Sequence, residues 1–86
     1  MSGPTVLFGR KLAMLRAVAD GRAEGIVSTE PDLYVDGLPC SDQPSAHELA
    51  HAGLIATSRS GLPGDRVPVE ITRAGLAALG RTGRSA

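Results

Sequence analysis

Residues 45–79 read SAHELAHAGLIATSRSGLPGDRVPVEITRAGLAAL, and their order decides the fold. The stretch Ser45-Ala-His-Glu-Leu-Ala-His-Ala52 predicts a helix. Ser45 and Glu48 stand at capping-box spacing, with Ser41 or Asp42 as earlier starts. Gly53 is its stop. Leu54-Ile-Ala-Thr57 and Arg66-Val-Pro-Val-Glu-Ile71 predict the two strands of a long hairpin, with Val67, Val69 and Ile71 alternating inward. Ser60–Asp65 is the loop between them. Pro68 removes a ladder donor, which predicts an edge position for the second strand. Thr72 then caps a last helix. Ile71 and Leu76 sit at staple positions, Leu76 and Leu79 are expected to point inward, and Gly80 is the expected stop.

Upstream, Phe8, Leu12, Leu15 and Ala19 recur at helical spacing, with Leu7, Met14 and Val18 widening the stripe. A helix from about Val6 to Glu24 follows, with Thr5 as N-cap and Gly25 as stop. Gly25–Thr29 and Leu33–Val35 predict two short strands around a turn at Glu30-Pro-Asp32. Asp36-Gly37 is a second turn signal. Leu38 to Gln43 reads as irregular. The fold class expected is α+β: three main helices, a β-hairpin wing and a short extra strand pair. One domain spans residues 1–80, with a small basic tail at 81–86.

His47-Glu-Leu-Ala-His-Ala-Gly-Leu-Ile55 resembles the end of a recognition helix entering a wing. Val69-Glu-Ile-Thr-Arg-Ala-Gly-Leu-Ala-Ala-Leu79 resembles the strand-to-helix junction that follows one. Both are habits of MarR-like and PadR-like winged-helix regulators, and the resemblance covers about residues 45–80. It implies a small DNA-binding transcriptional regulator working as a homodimer. The chain departs from that pattern in one place: a strand pair around Pro31 stands where those families have another helix.

The 86 residues fit one domain. Phe8 and Tyr34 are the only aromatic residues, so Leu, Val, Ile and Ala must build the core. Cys40 is the single cysteine, which excludes an internal disulfide. With no apolar run of membrane-spanning length and no signal-peptide pattern near Met1, a cytoplasmic protein with no membrane contact is expected.

Net charge is zero, but the charges are segregated. Residues 1–24 carry Arg10, Lys11, Arg16 and Arg22 against Asp20 and Glu24. Residues 25–56 carry Glu30, Asp32, Asp36, Asp42 and Glu48 with no Lys or Arg. Residues 57–86 carry five arginines against Asp65 and Glu70. Such asymmetry bears on partners, although short surface segments also vary in charge by chance.

For DNA, the expected contacts are Arg59 and Arg66 on the wing, with Gln43, Ser45 and His47 toward bases. Solvated hairpin charges are the plainer reading of the two arginines. The segment that would read bases holds no Lys or Arg, which favours a second reading: a protein-interaction or dimerisation module on the same fold. A remote third is a zinc hydrolase. His47-Glu-Leu-Ala-His51 is a literal H-E-x-x-H, which places two imidazoles on one helix face with Glu48 as base. It lacks a third histidine, and a solvent-facing helix surface has the same pattern. No catalytic residue, metal or cofactor is therefore expected. Cys40 has no basic neighbour in sequence to activate it, and the glycines of 60–64 lack the Lys-Ser or Lys-Thr ending of a phosphate loop.

Overall fold

The structure, a computed structural model, describes residues 9–58 and 61–83. The first helix, α1 (Gly9–Ala19), ends earlier than its apolar stripe suggests. Gly21 takes φ +78°, which a residue with a Cβ adopts at a cost. Its N–H donates to the Val18 carbonyl and the Arg22 N–H to the Ala17 carbonyl, a Schellman ending. Ala23 and Glu24 are thereby released from the helix and enter a strand. The expected start at Val6 and cap at Thr5 lie outside the described residues.

Five strands form one antiparallel sheet in the order β3-β2-β1-β5-β4. They are β1 (Ala23–Ile26), β2 (Leu33–Val35), β3 (Leu38–Pro39), β4 (Ile55–Thr57) and β5 (Arg66–Ile71). Helix α2 (Gln43–His51) precedes β4, and α3 (Arg73–Gly83) follows β5. The α+β class is as expected, and three helices with a β4–β5 hairpin are compatible with a winged-helix-like arrangement. The sheet is larger than expected. Asp36 and Gly37 both take positive φ, at 54° and 85°, and form the tight hairpin turn that such twist-matched pairs favour. It folds Leu38–Pro39 back onto β2, where an irregular segment was expected.

Pro68 does not make β5 an edge: β5 pairs with β1 on one side and β4 on the other. The Pro68 carbonyl accepts the Ser58 N–H, 2.9 Å away. In an extended strand a residue's N and carbonyl point the same way, so the missing donor faces the β4 side. There it lies just beyond the last ladder residue of β4, Thr57, so what Pro68 cannot return is one bond to Ser58, at the loop end of the hairpin.

Leu15, Leu33 and Leu49 are the largest fully buried side chains, one each from α1, β2 and α2. Met14, Val18, Ala23, Ala46, Leu54, Ile55, Val69 and Ala78 complete the core. The apolar face of α1 packs on α2, α3 and β5, so within the chain it is already covered.

Helix α3 is set by its approach to the end of α2. Thr72 Oγ1 accepts the Gly75 N–H at 2.9 Å, the expected N-cap. The same hydroxyl donates to the Gly53 carbonyl at 2.6 Å, and the Thr72 N–H to the Leu54 carbonyl at 3.1 Å. Gly75 faces that carbonyl directly. This turns Gly75 and Ala78 inward and half-buries Leu79, while Leu76, expected inside, is 55% exposed. Gly80 does not stop the helix, which continues to Gly83.

Candidate functional site

The residues singled out in the sequence gather around α2 and the base of the wing. Asp42, not Ser45, caps α2: its carboxylate accepts the Ser45 N–H at 3.1 Å and the Ser45 hydroxyl at 2.7 Å. These bonds, and the nearby Arg10 guanidinium at 3.5 Å, hold the Asp42 carboxyl below the usual range. Gly53, at φ +76°, closes the helix with a second Schellman ending and aims the chain into β4.

Gln43 straps α2 to β2. Its side-chain oxygen accepts the Leu33 N–H at 2.7 Å, and its amide donates to the Leu33 carbonyl at 3.0 Å and to the Cys40 carbonyl at 2.9 Å. A glutamine that satisfies three backbone groups is spent on the fold. Gln43 and Ser45 therefore turn their polar atoms toward the chain itself.

His47 and His51 lie one turn apart on α2 and face the segment 28–32. His47 Nε2 is 2.8 Å from Asp32 Oδ1, and His51 Nε2 is 2.9 Å from Glu30 Oε2. The His51 hydrogen bond, aided by the charge of His47, holds Glu30 below its ordinary carboxylate range. Glu48, between the two histidines in sequence, pairs instead with Lys11 of α1. The base of the H-E-x-x-H pattern is thus engaged elsewhere. Among the described residues, no group of three or more His, Cys, Asp or Glu side chains is placed to hold a metal ion as the chain stands.

Arg66 opens β5, at the loop end of the β4–β5 hairpin. Its Nε donates to Glu24 Oε1 of β1 at 2.9 Å, and its guanidinium sits 4.2 Å above the centre of the Tyr34 ring on β2. Arg59 lies outside the described residues. The wing tip folds back: the Gly64 N–H donates to the Val27 carbonyl and the Val27 N–H to the Asp65 carbonyl. Asp65 also accepts the Leu62 N–H at 3.0 Å, and Leu62 is left 72% exposed.

Sequence reasoning did not anticipate how the acidic segment is used. All five of its carboxylates are paired within the chain: Glu30 with His51, Asp32 with His47, Asp36 with Arg22, Asp42 with Arg10, and Glu48 with Lys11. Arg16 and Arg73 make no ion pair with a described residue. A cavity of about 290 Å³ opens between α1 and the entry to α2, lined by Arg10, Ala13, Met14, Cys40, Ser41 and Asp42. Burial, then the Asp42 charge, pushes the Cys40 thiol up, which disfavours the reactive thiolate.

Among the described residues, no helix is long and apolar enough to cross a membrane. No protein-family model, no curated protein and no solved structure matches the chain.

Proposed function

We propose that the chain is a small winged-helix DNA-binding protein, a transcriptional regulator of the MarR/PadR-like kind acting as a cytoplasmic homodimer without catalysis. The observation that carries this reading is the sheet order. β1 pairs with β5, β5 pairs with β4 as a hairpin, and α2 enters that hairpin through Gly53. A helix delivered to the root of a wing is the arrangement with which winged helices present a helix and a hairpin to a duplex. Pairing of Asp36, Asp42 and Glu48 with Arg22, Arg10 and Lys11 also supports it, because phosphates then meet fewer unpaired anions.

With Gln43 and Ser45 committed to the fold, backbone contacts from the wing carry the affinity and base readout falls to His47. Arg66 is held ready by Glu24 and Tyr34, and Arg59, a contact expected from the sequence alone, is the second arginine of this reading. Duplex binding followed by fluorescence anisotropy at two salt concentrations tests this. The wild-type chain is expected to bind, and the Arg59→Ala/Arg66→Ala variant to lose most affinity. Its salt slope should fall by about two per protomer, one for each phosphate that the variant no longer neutralises. Absence of wild-type binding even at low salt overturns the reading.

One observation favours a second reading, a protein-interaction module. Leu38, Leu62 and Leu76 are 70%, 72% and 55% exposed, while α2 carries no Lys or Arg. Salt-insensitive self-association in sedimentation, without DNA binding, is its expected signature.

A further inference from the structure

We propose that His47 and His51, backed by Asp32 and Glu30, form a capture site for a divalent transition-metal ion between α2 and the segment 28–32. This site shares His47 with the DNA-binding reading but does not rest on it, since it requires no duplex contact. Residues four apart on a helix share a face, so two imidazoles at this spacing can chelate one ion with only two protein ligands. Each imidazole already has a second donor beside it, at Nε2–oxygen separations of 2.8 and 2.9 Å. An oxygen hydrogen-bonded to Nε2 lies near that nitrogen's bonding axis, so each carboxylate must turn aside as the ion binds, and the two imidazoles are the ligands that hold it first.

The segment that brings the carboxylates is built, not loose. The Ile26 N–H donates to the Asp32 carbonyl at 3.1 Å, Pro31 is buried, and the Gln43 strap fixes Leu33 immediately after it. The carboxylates therefore stand opposite the histidines before any ion arrives. Lys11 of α1 is paired with Glu48 of α2, so its charge is offset. His51 at 62% and both carboxylates at 56% are open to solvent, with His47 half-buried beside them at 24%, which gives an ion a path in from the His51 side.

As the chain stands, a hydrogen bond occupies each Nε2, and the ion takes the place of those protons. Imidazole with carboxylate is a donor set for Zn²⁺, Ni²⁺ or Cu²⁺, whereas Mg²⁺ and Ca²⁺ prefer all-oxygen shells.

Thermal unfolding of the full chain with Zn²⁺ and with Ni²⁺, each reversed by chelator, tests the site. An ion that binds only the folded state raises the melting temperature by several degrees once it is about a hundredfold above its dissociation constant. The rise should appear with either ion, be absent with Mg²⁺, and be lost in His47→Gln and in His51→Gln. Glutamine keeps a hydrogen bond to the facing carboxylate, and the metal-free urea midpoint of each variant verifies that it folds. Asp32→Asn/Glu30→Gln should weaken the effect without abolishing it. No rise with Zn²⁺ or Ni²⁺ at ~1 mM overturns the proposal, as does a rise of equal size in the His47→Gln/His51→Gln double variant.

Discussion

Gly75 and Gly80 occupy the same helix and should answer the same substitution with opposite signs. In a helix interior, Gly→Ala gains about 0.5–1 kcal/mol from the lost backbone freedom of glycine. At Gly80 a Cβ meets nothing within 4 Å, and the residue is exposed, so the full gain is expected. At Gly75 the Cβ would lie 2.1 Å from the Leu54 carbonyl oxygen and 2.7 Å from Ile71 Cγ1, whereas ordinary contact begins at 3.4 Å. The obstacle is backbone, and that carbonyl also accepts the Thr72 N–H. It cannot swing aside without disturbing the cap of α3.

Overpacking of this kind costs about 1–3 kcal/mol, and damage to the hydrogen bond about 1 kcal/mol more. Set against the propensity gain, Gly75→Ala should destabilise by about 1–3 kcal/mol. At ~4–8 °C per kcal/mol for a domain this small, the two variants should melt at least about 6 °C apart, on opposite sides of wild type. Urea denaturation with m held common gives the same comparison isothermally. A Gly75→Ala protein as stable as Gly80→Ala would refute the close approach of α3 to Leu54, and with it the account of why Leu76 faces outward.

Gln43→Ala leaves the Leu33 N–H and two carbonyls without their side-chain partner, and should cost about 2 kcal/mol in urea. Gln43→Glu should be no milder, since it keeps the acceptor but presents a charge to two carbonyl oxygens; a neutral effect of both would dissolve the strap. Because Asp42 titrates below its ordinary value in the folded chain, its contribution is fully present above the unfolded carboxyl pKa and is lost as pH falls through the folded one. Asp42→Asn should therefore flatten the acid limb of the stability–pH curve and leave the neutral plateau's slope unchanged, which a urea series from acid to neutral pH measures.

Local turn chemistry made the second half of the chain legible. Gly53 and Thr72 act at short range on their own backbone, and both do in the structure what their positions in sequence imply. The misses share a different cause. Ala23 and Glu24 suit a helix, yet pairing with Val35 and Tyr34 draws them into β1. Pro68 reads as an edge residue only while the length of β4 is unknown, because its missing donor falls just past Thr57, where the paired stretch is ending. The strap made by Gln43 joins residues ten apart across a hairpin, and no linear pattern announces it. In the candidate site, the helical spacing of His47 and His51 was legible, but their carboxylate partners were not. Glu30 and Asp32 come opposite them only because the β1–β2 connection folds over α2.

The segregated charges show why a one-dimensional pattern can mislead about partners. Read along the chain, an acidic block between basic ends suggests an external basic ligand. In the fold, α1 supplies Arg10 and Lys11 and the turn after it supplies Arg22 as counterions for Asp42, Glu48 and Asp36, while the two histidines of α2 hydrogen-bond Asp32 and Glu30. Such exposed pairs are individually weak. Their collective effect is to set which charges remain for others: three anions of the block and three cations of the first segment are withdrawn together, and Arg16 and Arg73 are left without an ion pair to any described residue. A polyanion approaching this chain therefore meets a surface whose basic character lies outside the acidic block. Added salt acts on the internal pairs and on phosphate binding in the same direction. The salt dependence of binding must accordingly be read beside that of folding, since a drop in affinity at high salt counts as released counterions only where the urea midpoint stays fixed.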